Sequence, residues 1–325
     1  MTPASPKPLF SIPLSTPFNL RLMLLSHGWY ELEPFRWDDN ARTLLAVLET
    51  HPGRVYAVTI AGAARDPAQP GLCRELAVFK AAGDRVTARD TAALERRVRW
   101  IFRLEEDLTG FQSLCAADPS LEWVQGHGLG AFLRNGTLFE EFVKVLLTTN
   151  VNWAGTRSMN GKLIEHLGRP VTGGSGFDPP LRAFPDPQAI AAVSEEFLRE
   201  KVRVGYRAPF LLELAKSVAS GSLSLDEFLD PTRRTEDLAK SIGRLKGFGP
   251  YAVSALLQTA GRYDRLILDS WIRKKAAQRY FDADRVPDSS IEAAYRKWGR
   301  WKALACWFEC AYDTWLKEQL MPGDK

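Results

Sequence analysis

The chain has 325 residues, of which 45% are hydrophobic and 25% charged, and its formal net charge is +4. This length suits about two domains, and the composition is that of a globular protein with a sizeable core. No apolar run reaches the length of a membrane span, and the first residues lack the apolar core of a signal peptide. We therefore expect a cytoplasmic protein, or a nuclear one in a eukaryote, with no membrane partner. Residues 1–16 are expected to form a flexible Pro/Ser-rich tail.

The hydrophobic pattern changes near residue 90. Residues 54–60 and 74–80 carry β-branched and aromatic side chains, with Gly and Pro between them, which is typical of strands and turns. Beyond residue 90, apolar side chains recur at helical spacing. The sequence thus predicts an α+β, mostly α protein, with an N-terminal antiparallel sheet domain at 17–89 and a helical domain at 90–325.

Within the helical part, the Gly/Pro-rich segment 169–188 separates two helical blocks. Further helices are predicted over 208–218 and 235–244. Near the C-terminus, apolar side chains form one helical stripe, which is more typical of a core than of a cofactor site. The stripe consists of Trp301, Leu304, Ala305, Phe308, Tyr312 and Trp315.

The chain has four cysteines, too few and too scattered for a disulfide framework. Cys306 and Cys310 are one helical turn apart within an apolar stretch, where they are expected to pack as small hydrophobic side chains. Cys73 and Cys115 lie far away in the sequence. A four-thiolate iron–sulfur site needs clustered ligands, so we expect no iron–sulfur cluster.

Positive charge is concentrated in one segment. Residues 262–302 contain 11 Lys/Arg and 6 Asp/Glu, a larger excess than that of the whole chain. A basic patch of this kind suggests a polyanionic partner such as DNA. A solvated helix face fits the charge count equally well.

The stretch LKGFGPYAVSALL, residues 245–257, predicts a tight turn between two helices. Gly247 and Gly249 are poor helix residues and mark the turn, and Pro250 suits the first turn of the next helix. Bare backbone N–H groups at such a turn can bind an anion, for instance a DNA phosphate. A plain helical hairpin without a ligand is the alternative interpretation.

The stretch LILDSW, residues 266–271, places Asp269 after a short apolar run and before another predicted helix. Aspartate is favoured as an N-cap, so a purely structural role is one interpretation. A carboxylate beside an apolar wall also has a tuned environment that suits catalysis. The two interpretations are compatible, because a capping carboxylate is held in one place.

A Gly-rich hairpin followed by an aspartate 20 residues after Gly249 resembles the helix-hairpin-helix signature of the base-excision DNA glycosylase superfamily. The resemblance implies a helical helix-hairpin-helix glycosylase domain after the sheet domain. Within the superfamily, the chain is similar to 3-methyladenine DNA glycosylase II and 8-oxoguanine DNA glycosylase. Other segments resemble the family in the family's order: residues 17–37, 183–191, 205–216 and 295–308.

The resemblance implies an enzyme that flips a damaged base out of the duplex and cleaves its N-glycosidic bond, with Asp269 as the catalytic carboxylate. Bifunctional members carry a Schiff-base lysine at the position of Tyr251, so we expect a monofunctional glycosylase that uses water and has no lyase activity. Tyr251 resembles the alkylbase branch, in which aromatic walls hold positively charged bases. Trp301 matches a second aromatic residue of that pocket, although it also fits the core stripe.

The resemblance further implies contacts with double-stranded DNA containing a damaged base. Lys246 and the amides of Gly247 and Gly249 would face phosphate, and Arg273 and Lys274 would face the DNA backbone. Asn150 occupies the place of the residue that intercalates into the gap left by the flipped base. An asparagine there resembles the oxoguanine branch, so this feature conflicts with Tyr251.

In this family the hairpin also holds a monovalent cation, Na⁺ or K⁺, through main-chain carbonyls. By position, these carbonyls belong to Gly243, Leu245 and Phe248. No other cofactor is expected, and a monomer is expected. Two alternatives remain open: a glycosylase for oxidised or deaminated bases such as 8-oxoguanine, and a catalytically inactive DNA-binding member of the fold.

Overall fold

The computed structural model describes residues 7–65, 69, 71–172, 177, 180–312, 314 and 318. Its internal contacts divide the chain into two compact units. The first unit comprises Met1–Glu105 and Phe132–Ser222, and the second comprises Glu106–Ala131 and Leu223–Lys325. Each unit is therefore built from two separate stretches of the chain.

The first unit contains a five-stranded sheet in which all the paired strands are antiparallel, in the order β1-β5-β4-β3-β2. Consecutive side chains are buried in the middle of the central strands, for example Val55, Tyr56, Ala57 and Val58 of β4, so both faces of the sheet are covered there. Gly53 makes the turn between β3 and β4 with a φ of 83°. The strands are β1 (Phe10–Phe18), β2 (Phe35–Asp38), β3 (Thr43–His51), β4 (Arg54–Arg65) and β5 (Cys73–Ala82).

The start of the sheet differs from the prediction of a flexible tail at 1–16. Strand β1 begins at Phe10 and pairs with β5, with Phe10 opposite Val78 and Pro13 opposite Glu75. The prolines suggested a loose segment, but β1 is an edge strand, where a residue without an N–H is tolerated. The tail prediction is therefore wrong for residues 10–16, and residues 1–6 lie outside the described part of the chain.

Most helices lie beyond residue 90, where apolar side chains recur at helical spacing in the sequence. Those in chain order are α1 (Leu20–Leu25), α2 (Ala88–Ile101), α3 (Thr109–Ala117), α4 (Glu122–Gly126), α5 (Leu138–Thr148), α6 (Trp153–Leu167), α7 (Pro187–Ala191), α8 (Glu195–Phe197), α9 (Ala208–Ala219), α10 (Thr235–Gly243), α11 (Pro250–Thr259), α12 (Ser270–Phe281), α13 (Asp288–Ala294) and α14 (Lys302–Ala311). The α+β, mostly α class predicted from the sequence is confirmed.

Helix α5 has ionisable side chains inside the first unit, which its apolar pattern did not predict. Glu140, Glu141 and Lys144 are all buried. The Lys144 Nζ lies 2.7 Å from Oε1 of Glu140 and donates a hydrogen bond to Oδ1 of Asn135 at 2.8 Å. Burial lowers the pKa of Lys144 and raises the pKa of Glu141. The helix that leads towards Asn150 is thus anchored by a buried ion pair.

The predicted domain boundary at residues 89 and 90 does not separate the two units. Val171, Leu181 and Ala183, from the connector between α6 and α7, share one hydrophobic cluster with Val47 and Val55 of the sheet. Packing of the connector on the sheet therefore places α2, α5 and α6, and the helices from α7 to α9, in the same unit as the sheet.

Aromatic packing explains why α3 and α4 belong to the second unit. The ring of Phe111 lies 5.9 Å from that of Trp301 and 6.1 Å from that of Phe308. Trp123 packs against Phe308 at 6.1 Å. Within the predicted C-terminal stripe, Trp301, Leu304, Ala305 and Phe308 are buried, whereas Trp315 lies outside the described residues.

Candidate active site

The Gly-rich stretch of the second unit forms the predicted helix–turn–helix. Helix α10 ends at Gly243 and α11 begins at Pro250, with Gly249 as its extended N-cap. The turn is closed by a hydrogen bond from the N–H of Phe248 to the carbonyl of Leu245 at 3.2 Å. The Phe248 side chain is buried, and this anchors the turn to the core of the unit.

The two glycines of the turn have different physical roles. Gly247 has a φ of 89°, a conformation that glycine adopts without strain. Gly249 has ordinary extended angles, but a Cβ built on it would meet nothing within 4 Å. The space in front of α11 is therefore open, and Lys246 beside it is exposed. This surface allows another molecule to approach the backbone closely.

Asp269 lies at the start of α12 and is its N-cap. Its Oδ1 accepts a hydrogen bond from the N–H of Ile272 at 2.7 Å, and Leu266 before it is buried. Burial raises the pKa of Asp269, against the opposing effects of hydrogen bonds from the backbone N–H groups of Ile272 and Trp271 and of the Arg273 charge. The capping interpretation is confirmed, and the carboxylate is also half-buried and more basic than an ordinary aspartate.

Tyr251 and Arg273, which the sequence assigned to the site, line one cleft of about 400 Å³ in the second unit. Leu268, the residue before Asp269, lines the same cleft. Two arginines and four carboxylates contribute to its wall, so carboxylates outnumber cations there. The carboxylates belong to Glu236, Asp264, Asp288 and Glu292.

Trp301 is in a packed environment, with 7% of its surface exposed. Its ring lies 5.7 Å from that of Tyr263, and the Arg300 guanidinium lies 4.3 Å from its centre. A Cβ on Gly110 would lie 3.3 Å from its ring nitrogen. These contacts are those of a core side chain, and the pocket role of Trp301 stays a prediction.

Several cations of the basic segment have carboxylate partners. Arg273 donates two hydrogen bonds to Asp288, at 2.8 and 2.9 Å, and Lys297 pairs with Asp118 at 2.6 Å. Lys274, by contrast, is exposed on α12, and none of the ion pairs described above includes it. Asp288 is already included in the charge count of residues 262–302, whereas Asp118 lies outside the segment and offsets one of its positive charges.

Asn150 lies in the first unit, in the turn between α5 and α6. It is exposed and has a φ of 47°. Its Nδ2 donates a hydrogen bond to the hydroxyl of Tyr206 at 3.1 Å. The guanidinium of Arg207, which is buried, donates to the carbonyl of Thr149 and, at 3.3 Å, to its Oγ1.

Tyr206 and Arg207 were not identified as site residues from the sequence. The segment 205–216 was matched to the family, but nothing in it indicated that these side chains hold the turn at Asn150. The one local feature that could have drawn attention to them is that a tyrosine and an arginine stand side by side just before an apolar helix. Tyr206 is 47% exposed, and the Arg207 guanidinium lies 4.6 Å from the centre of its ring.

No family model matches the chain. Among curated proteins, the chain is 20% identical over 209 residues to the "Putative DNA-3-methyladenine glycosylase YfjP" of Bacillus subtilis, which is 64% of this chain and 70% of that protein.

Two solved structures superpose on nearly the whole chain. The 3-methyladenine DNA glycosylase of Archaeoglobus fulgidus has a TM-score of 0.74 and 19% identity, over 94% of this chain and 98% of its own. The chain has the fold of the helix-hairpin-helix DNA glycosylases. The 8-oxoguanine glycosylase/lyase of Clostridium acetobutylicum, in complex with DNA containing cytosine opposite 8-oxoG, has a TM-score of 0.70 and 15% identity, over 97% and 100%.

In this helix-hairpin-helix glycosylase fold, the predicted site residues lie in both units. Asn150 belongs to the first unit. The others belong to the second: Gly243, Leu245, Lys246, Gly247, Phe248, Gly249, Tyr251, Asp269, Arg273, Lys274 and Trp301. The resemblance stated from the sequence is confirmed at the level of the fold.

The predicted cation site consists of main-chain carbonyls at the hairpin. The carbonyl of Leu245 accepts one hydrogen bond, from Phe248, and retains a second lone pair. Carbonyl oxygens are suitable ligands for Na⁺ or K⁺. The donor set of Gly243, Leu245 and Phe248 is chemically compatible with such an ion, and the site stays a prediction.

All four cysteines are buried, with Cys306 and Cys310 on α14. Among the residues that the structure describes, no group of three or more His, Cys, Asp or Glu is arranged to hold a metal ion. In the same part of the chain, no helix combines the length and the apolar character that crossing a membrane requires.

Proposed function

We propose that this protein is a base-excision DNA glycosylase that flips a damaged base and hydrolyses its N-glycosidic bond. The observation that carries the proposal is Asp269, a half-buried carboxylate of raised pKa held at a helix N-terminus 20 residues beyond a Gly-rich hairpin. The fold shared with solved DNA glycosylases supports the same conclusion. The partner is double-stranded DNA containing a lesion, and the protein acts as a monomer.

In the proposed mechanism, Asp269 stabilises the positive charge that develops on the sugar as the glycosidic bond breaks. Two features of this aspartate suit the task. The N–H of Ile272 holds Oδ1 in place, so little reorganisation is needed when the charge appears. The carboxylate would face the sugar or orient the attacking water. The raised pKa makes the carboxylate a better acceptor for a cation or a proton.

The proposed substrate is an alkylated purine, which carries a positive charge. Tyr251 supplies an aromatic face for a cationic base. In the cleft that it lines, Asp288 is paired with Arg273 and Glu292 with Lys302, which leaves Glu236 and Asp264 against Arg265, and this small excess of negative charge favours a positively charged ligand over a neutral one. Trp301 would be a second aromatic wall only if its packed ring became accessible to the base.

The proposed nucleophile is water, and the enzyme is monofunctional. A lyase step needs an amine that forms a Schiff base with the sugar. The residue at the corresponding hairpin position is Tyr251, whose phenol cannot form an imine. The 8-oxoguanine relative named above is a glycosylase/lyase, so this point distinguishes the proposal from that activity.

Binding to DNA is proposed to use the open turn at Gly247 and Gly249, with Lys246 beside it, as a phosphate contact. Lys274 adds a second cation, whereas Arg273 is engaged by Asp288. A Na⁺ or K⁺ ion bound by the carbonyls of Gly243, Leu245 and Phe248 would add positive charge at this turn.

A lesion panel tests the proposal. Duplexes carrying one alkylated, oxidised or deaminated base each are incubated with the protein, and abasic strands are cleaved with hot alkali. Cleavage restricted to alkylated purines supports the full proposal. Cleavage at 8-oxoguanine or a deaminated base supports the alternative that Asn150 suggests, and binding without cleavage of any duplex supports an inactive DNA-binding member of the fold.

A further inference from the structure

The first unit has a cleft of its own, with a volume of about 300 Å³. It is lined by the end of β3, by α2, by the start of α5 and by the chain that leads from the connector into α7. All of these segments belong to the first unit, and the residues assigned above to the candidate active site lie elsewhere. A cleft of this volume is large enough for a small organic molecule.

The walls of the cleft are largely apolar and have a firm backing. Five of the side chains that line it are buried: Val47, Leu48, Phe139, Ala183 and Pro185. Two of them, Val47 and Ala183, belong to the hydrophobic cluster that joins the connector to the sheet. The walls are therefore fixed by the core behind them, and an apolar body placed between them would be removed from water.

Arg97, on α2, lines the same cleft and is partly buried. Within the part of the chain that the structure describes, its guanidinium has neither a hydrogen bond nor an ion pair. Burial lowers the pKa of Arg97, against the opposing effect of the Glu140 charge. The guanidinium has thus lost hydration without gaining a direct partner, and its fork of N–H donors is available to a ligand.

The carboxylates that line the cleft already have cations. Glu49 lies 3.0 Å from the Arg169 guanidinium, and Asp186 lies 3.2 Å from it. Glu140 lies 2.7 Å from the Nζ of Lys144. Among the described charged residues of the lining, Arg97 is therefore the one whose partner is missing, and the group that would complete the cleft is an anion.

We propose that this cleft binds a small organic acid, whose carboxylate pairs with Arg97 and whose apolar body lies between the walls. A guanidinium matches the two oxygens of a carboxylate with two parallel hydrogen bonds. The apolar walls select an acid with an aromatic or branched aliphatic body over a bare acetate ion. This binding site is independent of the proposed catalytic function.

The test titrates para-fluorobenzoate into the full chain and follows binding by fluorine NMR. Benzoate should compete for the site, whereas acetate lacks the apolar body and benzylammonium has the wrong charge. Arg97→Gln should weaken binding by about tenfold or more, the scale of losing a hydrogen-bonded charge pair. Arg96 is the adjacent residue, is exposed and lies outside the lining, so Arg96→Gln is the matched control and should leave the affinity unchanged.

A second measurement leaves Arg97 in place. Gln188 is exposed and lines the cleft, and all four native cysteines are buried, so a maleimide should react selectively with the Gln188→Cys variant. Added para-fluorobenzoate should slow this reaction in proportion to the occupied fraction of the cleft. Gln125 is an exposed glutamine on α4 in the second unit, and the Gln125→Cys variant should react at the same rate with and without the acid.

The results that would overturn the proposal are specific. Benzylammonium or acetate competing as well as benzoate would show that the Arg97 charge or the apolar walls do not select the ligand. Unchanged affinity in an Arg97→Gln variant that melts like the parent would remove Arg97 from the site. If that variant does not fold, the protection of Gln188→Cys decides, and an unaltered reaction rate at saturating acid would show that the cleft is not occupied. Each of these results leaves the proposed glycosylase activity untouched, because base release on the lesion panel is measured separately.

Discussion

The Oδ1 of Asp269 and the N–H of Ile272 are joined by a 2.7 Å hydrogen bond at the first turn of α12. This contact gives Asp269 a structural role, since an N-cap satisfies a backbone donor that the helix leaves unpaired. It also restricts the carboxylate to one orientation. The structural and chemical roles therefore belong to the same carboxylate, and a substitution that keeps the cap should separate them.

Asp269→Asn should retain the fold and DNA binding but lose base release. Asparagine is as good an N-cap as aspartate, but it cannot stabilise a cationic sugar. We expect the excision rate to fall by at least about a hundredfold, the scale of losing one preorganised electrostatic group. The measurement is single-turnover excision on the lesion duplex that the panel identifies, with affinity measured in parallel.

A matched control exists in the first unit. Asp186 is the N-cap of α7, and its Oδ1 accepts the N–H of Ala189 at 2.7 Å. Asp186→Asn changes the same chemical group in the same kind of cap, and should leave excision unchanged. A wild-type rate in Asp269→Asn would show that Asp269 is a cap only.

The same aspartate should make stability depend on pH. Because burial raises the pKa of Asp269 in the folded state, the folded protein holds this proton more tightly than the unfolded chain does. Its contribution to stability is complete below the unfolded pKa of about 4 and is lost as the pH rises through the folded pKa. Asp269→Asn has no such loss. Its free energy of unfolding should therefore rise relative to wild type between acidic and neutral pH in urea titrations, and a pH-independent difference would contradict the raised pKa.

The parts of the site that could be predicted are those in which a residue acts on its neighbours in the sequence. The hairpin and the cap at Asp269 were visible because Gly247, Pro250 and Asp269 act on their own neighbours in the sequence. The start of β1 was missed because its prolines read as a loop, and only the pairing order shows that the strand is at an edge. The Asn150–Tyr206 hydrogen bond joins residues 56 positions apart, and no local pattern encodes such a contact.

The buried pair of Lys144 and Glu140 predicts a large and asymmetric effect on stability. The side chains are 0% and 3% exposed, so removing one partner leaves the other buried without its ion-pair partner. Lys144→Met or Glu140→Gln alone should cost about 3–5 kcal/mol of unfolding free energy, and the double variant much less than the sum. Chemical denaturation of the three variants measures this.

The exposed pair of Arg199 and Glu195 provides the comparison, since it has the same i, i+4 spacing and a distance of 2.6 Å. Glu195→Gln should change stability by less than about 1 kcal/mol, because both side chains are more than two-fifths exposed. Equal effects at the two pairs would mean that burial does not determine the contribution of Lys144.

DNA affinity should depend on salt, and Lys274 should contribute to that dependence. A phosphate contact releases counterions, so removing one cation that contacts phosphate lowers the slope of log affinity against log salt by about one. We expect this of Lys274→Ala in fluorescence anisotropy titrations on an undamaged duplex. Lys216 on α9 is equally exposed but lies outside the basic segment, and Lys216→Ala should leave the slope unchanged. An identical slope in both variants would remove Lys274 from the interface.

The reaction should end at an intact abasic strand, without a covalent intermediate trapped by borohydride. An imine forms only if an amine reaches the sugar C1′, and the hairpin position that supplies this amine in bifunctional members is Tyr251. The assay incubates lesion-bearing duplex with protein and borohydride and looks for a shifted protein–DNA band on a denaturing gel. A strong band would contradict the monofunctional proposal.

Three lysines near Tyr251 and Asp269 in the sequence are the other amines that could form such an intermediate. Lys246 lies before the chain reversal at Gly247, whose φ is 89°, so the turn separates it from Tyr251 on α11. Lys274 and Lys275 are five and six residues beyond Asp269 on α12, more than one helical turn from the cap. If a band appears and disappears in Lys246→Ala or in Lys274→Ala, that variant identifies the amine. If a band appears only in Tyr251→Lys, the hairpin position can deliver an amine to C1′, and the tyrosine is then the reason that the natural sequence uses water.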